Sequence, residues 1–317
     1  PLLSLESSLF YFRFGVFVIV IWYLLDKFPN FLNYLFYSFL ITYMLVLTHG
    51  YVDYFFNVNF FFLQDSQSGR TSGLFNDNLI LGSFLSRLLP LFFALGYLKY
   101  QNSKKNILIL FVIFILTDVL IYLSGERVAF FNLILFSLIV IILSKNWVLF
   151  RTLTIIASIL IIIIFSFINT SIKDRMIVQT MNQVGINDEK VGDVYVFSRE
   201  HENAYKISLS IFKDHKFFGI GTKLFRIMCK DEKYYIAFSC FSHPHSIYLQ
   251  LLAETGLVGT IPVVFTYLLV SFLLLKYLYL KYIKKRHFLN DYQIYLYAGL
   301  IINFFPFIPS GNYFNNW

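Results

Sequence analysis

Apolar runs of about 17 to 25 residues recur along this chain, each long enough to carry a helix across the roughly 30 Å hydrocarbon layer of a bilayer. Short polar breaks separate them. A helix satisfies its own backbone in lipid, so these runs read as membrane helices. Eight spans follow: 8–25, 31–48, 78–98, 106–123, 128–144, 152–170, 247–275 and 292–309. The composition agrees, with 58% hydrophobic and only 14% charged residues and a mean hydropathy of +0.66, outside the range of a soluble domain. The expected fold is an all-α integral membrane protein, a polytopic helical bundle. It divides into helices with short outer loops over 1–170, one long polar segment over 171–246, and C-terminal membrane helices over 247–317. The chain starts at Pro1 and its first apolar run has no signal-cleavage pattern, so both ends are expected to continue in a longer protein.

The formal net charge of +8 does not point to nucleic acid, because the basic residues fall in the breaks and make no aromatic-interleaved basic face. They read instead as topology signals. Lys27, Lys99 with Lys104 and Lys105, Lys145 with Arg151, and Lys276, Lys281, Lys284, Lys285 and Arg286 occupy alternate breaks, which the positive-inside rule places on the cytoplasmic side. The remaining breaks, namely 49–77, Ser124-Gly125-Glu126-Arg127, the segment 171–246 and Ser310-Gly311-Asn312, then face outward. Both cysteines, Cys229 and Cys240, lie on the long outer segment, where an oxidising compartment permits a disulfide; two free thiols are the alternative. Within the same segment Glu202 to Phe212 is amphipathic, with Tyr205, Leu209 and Phe212 on one face. It is expected to lie against the membrane surface as a cap.

The chemistry concentrates where this segment enters a membrane helix, at Ser242-His243-Pro244-His245-Ser246-Ile247, followed by Glu254, Gly256 and Gly259. Pro244 fits the first turn of a helix, which would put His245 at the positive end of the helix dipole and keep its imidazole neutral, fit to accept a proton. A histidine at a helix start also serves as a plain capping residue, and Gly256 and Gly259 also serve as small-residue packing between helices. Continued as a regular helix from Pro244, the chain would turn Glu254 away from His245. Arg87, inside the third span, needs a cavity or a partner.

The stretch His243-Pro244-His245-Ser246-Ile247-Tyr248-Leu249-Gln250-Leu251-Leu252-Ala253-Glu254-Thr255-Gly256-Leu257-Val258-Gly259 resembles the signature of the O-antigen ligase and polymerase superfamily. So do Arg199-Glu200-His201-Glu202-Asn203-Ala204-Tyr205 with Gly219-Ile220-Gly221, Ser124-Gly125-Glu126-Arg127, Arg70-Thr71-Ser72-Gly73-Leu74-Phe75-Asn76-Asp77-Asn78, and the C-terminal Pro306 to Trp317. His215-Lys216-Phe217-Phe218 stands where the family often has proline.

The resemblance implies a GT-C-like bundle in the bacterial inner membrane, with a long periplasmic loop over a cavity open to lipid. It implies a glycosyltransferase in O-antigen or surface polysaccharide biosynthesis. Such an enzyme would move glycan from a polyprenyl-pyrophosphate carrier to a hydroxyl of a glycan or lipid A core acceptor. His245 is then the catalytic base, with His243, Ser246 and Glu254 supporting it, and Arg127, Arg199 and Arg70 binding pyrophosphate. The outer loops carry no Asp-x-Asp, and the guanidinium fork pairs with phosphate oxygens, so inverting transfer without metal or other cofactor is expected. The three side chains His245, Arg127 and Arg199 are expected to share one pocket. Ligase and polymerase both remain open, with a slight lean to the polymerase. Outside this family a polytopic transporter of lipid-linked sugar is the alternative.

Overall fold

The computed structural model describes residues 2–56, 70–75, 78–101, 107–168, 170–183, 199–237 and 239–314. No strand occurs among them. The helices are α1 (Leu2–Leu9), α2 (Phe12–Lys27), α3 (Phe31–Phe56), α4 (Leu81–Tyr100), α5 (Ile107–Leu123), α6 (Arg127–Leu143) and α7 (Val148–Ile168). After these come α8 (Thr170–Lys173), a π-helical turn (Asp174–Val178), α9 (Gln179–Gln183), α10 (Arg199–Asp214), α11 (Phe225–Met228), α12 (Ile247–Tyr282) and α13 (Asp291–Asn303). The continuous stretch Leu2–Lys27 and helices α3, α4, α7 and α12 are long and apolar enough to cross a bilayer, and α5 and α6 are shorter apolar helices. The protein is a polytopic helical membrane protein.

The described residues form two compact units that are each discontinuous in sequence. Unit 1 comprises 1–28, 181–269 and 304–317; unit 2 comprises 29–180 and 270–303. This grouping cuts across a division into consecutive stretches, because α12 enters unit 1 at its start and unit 2 from Val270.

Unit 2 packs α3 to α7 and α13 around an aromatic centre. Phe93 stands 5.0 Å from Phe114, 5.5 Å from Phe136, 5.4 Å from Trp147 and 4.9 Å from Tyr295 between ring centroids. These tilted and edge-to-face pairs add specificity to the burial of large apolar rings. At one end of the unit the loose ends of helices are tied by charge. Lys281 donates to the carbonyls of Ile142, Leu143 and Ser144 at 2.8, 3.1 and 3.0 Å, placing a cation on the C-terminus of α6. Asp291 accepts the backbone N–H groups of Lys145 and Asn146 at 2.8 and 2.7 Å.

Arg151 departs from its reading as a loop charge. It lies in the first turn of α7, fully buried, and forms a two-pronged ion pair with Asp118 of α5 at 2.9 and 3.1 Å. Ser137 accepts from its Nε and Nη2, and Ser158 donates to Asp118. Burial of a charge demands such a complete set of partners. Removing one partner leaves the other charge stranded: Arg151→Met is expected to destabilise the protein by about 3 to 5 kcal/mol in detergent unfolding, while Arg151→Met with Asp118→Leu should recover most of that loss. A double variant as unstable as the single one would contradict this account.

One further expectation is corrected. The final span does not run to residue 309: α13 stops at Asn303, and Pro306 and Pro309 prevent the apolar sequence after it from continuing as helix. On α10 the face packed within unit 1 is Ala204, Ile207, Ser208 and Ile211, and Tyr205, Leu209 and Phe212 form a separate stripe. At 100° per residue the two stripes lie about a third of a turn apart, and Leu209 is left exposed.

Candidate active site

In unit 1 the site is built on a broken membrane helix. Gly256 has φ 62° and ψ −159°, a conformation only glycine adopts readily, and it splits α12. A broken helix exposes backbone donors and acceptors that lipid cannot satisfy. The turn after α10 supplies them. Leu257 and Val258 donate to the carbonyls of Lys216 and Phe217 at 2.8 and 3.1 Å, while Ile220 and Gly221 donate to the carbonyls of Ala253 and Glu254 at 3.0 and 2.8 Å. Glycine lets the two backbones meet: a Cβ on Gly219 would stand 2.4 Å from the Glu254 carbonyl carbon, and one on Gly256 would stand 2.4 Å from that of Phe217. The Gly219-Ile220-Gly221 and Gly256 motifs are therefore two halves of one junction, rather than helix–helix packing.

Glu254 secures the same junction. Its carboxylate accepts the N–H of Phe225 at 3.0 Å and the side-chain amide of Gln250 at 3.1 Å. Gln250 in turn donates to Asn312 at 2.7 Å and accepts the Tyr313 N–H at 2.9 Å. The short helix α11, the membrane helix α12 and the C-terminal turn are thus held by one buried network. The Cys229–Cys240 disulfide closes the loop after α11, with the two Cα atoms 5.3 Å apart. A cross-link over 11 residues contributes about 3 kcal/mol in a chain-entropy account.

The histidines sit just before α12. Pro244 does not open the helix, as its sequence position suggests; α12 starts at Ile247, with the Ser246 hydroxyl 3.5 Å from the Leu249 N–H in capping position. His245 is therefore outside the helix, in left-handed conformation with φ 56°. Such a conformation costs a non-glycine residue about 1 to 2 kcal/mol, and it is held here because the His245 carbonyl accepts the Ser310 N–H at 2.9 Å.

The His243 ring lies 4.2 Å and the His201 ring 4.6 Å from that of His245 between centroids, with Phe241 at 5.4 Å. His243 is engaged at both nitrogens: Nε2 is 3.3 Å from the Ser310 carbonyl, and Nδ1 is 3.0 Å from the Ser242 hydroxyl. A carbonyl only accepts, so Nε2 carries the proton. Among the described residues the His245 ring nitrogens make no hydrogen bond, which leaves this imidazole open to a reacting group. Burial, then His243 and then His201, lower its pKa to about 4. His243 is lowered as well, by burial foremost, then by Arg226 and His201, against the opposing hydrogen bond to Ser310. The leading cause of the lowering at His245 is burial, with the neighbouring imidazoles next, rather than a helix dipole.

Unit 2 has its own charged cluster. The Ser124-Gly125-Glu126 turn before α6 carries Arg127 at its end and gathers two more guanidiniums. Arg175, on the π-helical turn, donates to the Gly125 carbonyl at 3.0 Å, and Arg70 donates to the Ser124 carbonyl at 3.3 Å. Arg127 reaches the Thr180 hydroxyl at 3.4 Å. Burial and then the charges of Arg175 and Arg127 depress Arg70, while Glu126 acts against them. The Glu126 carboxylate is itself committed to the start of α4, accepting the Gly82 and Ser83 N–H groups at 2.7 and 3.1 Å and the Ser83 hydroxyl at 2.5 Å. Asp53 shapes the Arg70 loop by accepting the Ser72 and Gly73 N–H groups at 2.8 and 2.9 Å.

Of the residues singled out by sequence, His243, His245, Ser246 and Glu254 belong to unit 1, and Arg70 and Arg127 to unit 2. Arg199 opens α10 in unit 1, but its side chain, like residues 76–77 and 315–317 of the motifs, lies outside the described residues. Sequence reasoning quoted His201 without giving it a role, and passed over Arg175 and Arg226. The available signal was residue type: in the segment 171–246, rich in lysine, Arg175, Arg199 and Arg226 are the arginines.

Comparison with known proteins agrees with this architecture. No curated protein and no solved structure matches the chain. The family model described as O-antigen ligase matches residues 107–264, from α5 through the broken part of α12, and takes in Arg127, Arg175, the histidine cluster and Gly256. On that match the chain belongs to the O-antigen ligase family, and its role lies in glycan transfer in O-antigen biosynthesis.

Proposed function

We propose that the protein is an inverting, metal-independent glycosyltransferase that moves glycan from a polyprenyl-pyrophosphate carrier to an acceptor hydroxyl, with its active site on the periplasmic face of the bacterial inner membrane. The observation that carries this reading is the histidine cluster, in which the His245 ring nitrogens are not taken up by described residues while both nitrogens of His243 are engaged. In the proposed step the acceptor oxygen attacks the anomeric carbon as its proton passes to His245. The bond from that carbon to the pyrophosphate oxygen breaks, and the electron pair leaves with the pyrophosphate. Arg127, Arg70 and Arg199 are the proposed pyrophosphate-binding residues, joined by Arg175, because guanidinium pairs bidentately with phosphate oxygens and stays charged. Ligase and polymerase share this chemistry and differ in the acceptor.

The break in α12 resembles the discontinuous helices of carriers. It favours an enzyme nonetheless, since the backbone groups flanking the break pair with the 216–221 turn rather than facing a transported solute.

The test is transfer by purified protein from a defined lipid-linked oligosaccharide, with the anomeric configuration of the product read by NMR. Inversion and unchanged rates in EDTA are expected; retention or loss of activity in EDTA would overturn the corresponding part. The pH profile gives a separate check. A base whose pKa is lowered remains unprotonated below the usual histidine range, so the acid limb of kcat/KM should fall near pH 4 rather than near 6.5. An acid limb at the ordinary histidine value would assign the base elsewhere.

A further inference from the structure

Arg226 occupies an unusual place in unit 1. Its helix, α11, is pinned on both sides: Phe225 and Cys229, both fully buried, pack with Ala204, Ile207, Ile211 and Ala253, and the Phe225 N–H is held by Glu254. The disulfide ties the end of this helix to Cys240, three residues before His243. A side chain so anchored has a fixed starting point. Yet the Arg226 guanidinium forms no ion pair among the described residues, and its buried Nε has no hydrogen-bond partner. The neighbouring Glu254 carboxylate feels the Arg226 charge but makes its hydrogen bonds to Phe225 and Gln250.

A buried donor without a partner is costly, more so when charged, and calls for an explanation. Two other buried groups share the condition on the segment facing the histidines, the Ser310 hydroxyl and the Asn312 side-chain N–H2. Ser310 is bonded to His243 and His245 through its backbone, and Asn312 to Gln250 through its side-chain oxygen. The positive charge of Arg226 is also felt at His243.

We infer that Arg226 is a substrate-binding residue of the histidine site that takes an oxyanion, phosphate or carboxylate, through its guanidinium. The inference rests on the reading of the histidine cluster as the place of transfer. Two substrates could bring such a group: the donor through its pyrophosphate, or the acceptor through an acidic sugar or phosphate. Guanidinium suits both, since it offers parallel N–H donors to two oxygens at once. The disulfide then has a second purpose, fixing the distance between the cation and the imidazoles.

The experiment varies donor and acceptor separately with the full chain in nanodiscs, for wild type, Arg226→Gln and Arg226→Lys, with inorganic pyrophosphate as inhibitor. Arg226→Gln is expected to raise the KM of one substrate at least tenfold, with Arg226→Lys intermediate because it keeps the charge without the fork. A higher donor KM with weaker pyrophosphate inhibition assigns the donor. A higher acceptor KM with unchanged inhibition assigns the acceptor. Folded Arg226→Gln with both KM values unchanged would overturn the inference. If the glutamine variant does not fold, unchanged KM values in Arg226→Lys overturn it instead. Full transfer by a His245→Asn variant would refute the proposed base while leaving the Arg226 measurement readable.

Discussion

His245→Asn is expected to lower glycan transfer by 10²- to 10⁴-fold while the protein inserts and folds as wild type. That range is the usual contribution of a positioned general base. Asparagine is the informative replacement because residue 245 sits at φ 56°. Asparagine tolerates left-handed backbone, so the Ser310 N–H bond to the residue 245 carbonyl should persist while the proton acceptor is lost. Alanine would remove the imidazole and strain the backbone together, mixing a chemical loss with a conformational one. The comparison with His243→Asn sharpens the assignment. The His243 ring is committed to Ser242 and Ser310, so its loss should disturb orientation and cost less than that of His245. Wild-type rates for His245→Asn, or a larger loss for His243→Asn, would move the base away from residue 245.

Much of the membrane architecture was legible in sequence because lipid leaves so few options. Helix ends were less so. The apolar residues from Phe304 to Ile308 extend the hydropathy of α13, yet the chain turns after Asn303, where the prolines outweigh hydrophobicity. Arg151 looked like a loop charge because it stands beside Lys145; its burial depends on Asp118, 33 residues earlier, and no local pattern announces that pairing. Such pairings are tertiary facts.

The candidate site was legible as residue types and not as geometry. His245 could be named from its motif, but its helix-start placement followed a proline rule that the chain does not use here. Pro244 instead disfavours helical backbone at His243, and the left-handed turn at His245 then leads into the Ser246 cap. The neutrality of the imidazole comes foremost from burial, with His201 and His243 assisting; His201 arrives from α10, 44 residues before His245 in sequence. Arg175 was hidden for a similar reason, since only the π-helical turn brings it to the Gly125 carbonyl.

The junction at the break in α12 should be the least tolerant point in unit 1. Gly256→Ala is expected to abolish folding, a loss above about 5 kcal/mol, beyond the ordinary range for single substitutions. Two costs combine. The backbone at φ 62° and ψ −159° is closed to alanine, and the new Cβ would stand 2.4 Å from both the carbonyl carbon and oxygen of Phe217. Neither contact can be relieved by rotating a side chain, because the obstacle is backbone. Moving the 216–221 turn away would strand the N–H groups of Leu257 and Val258 and the carbonyls of Ala253 and Glu254 at a break that lipid cannot solvate. Gly15→Ala on α2 provides the control, since a Cβ there meets nothing within 4 Å, and alanine is favoured over glycine in a helix by about 1 kcal/mol. Detergent unfolding and size-exclusion profiles of the two variants decide the matter. A Gly256→Ala protein as stable as Gly15→Ala would mean that α12 runs unbroken and that the turn after α10 is not stitched into it.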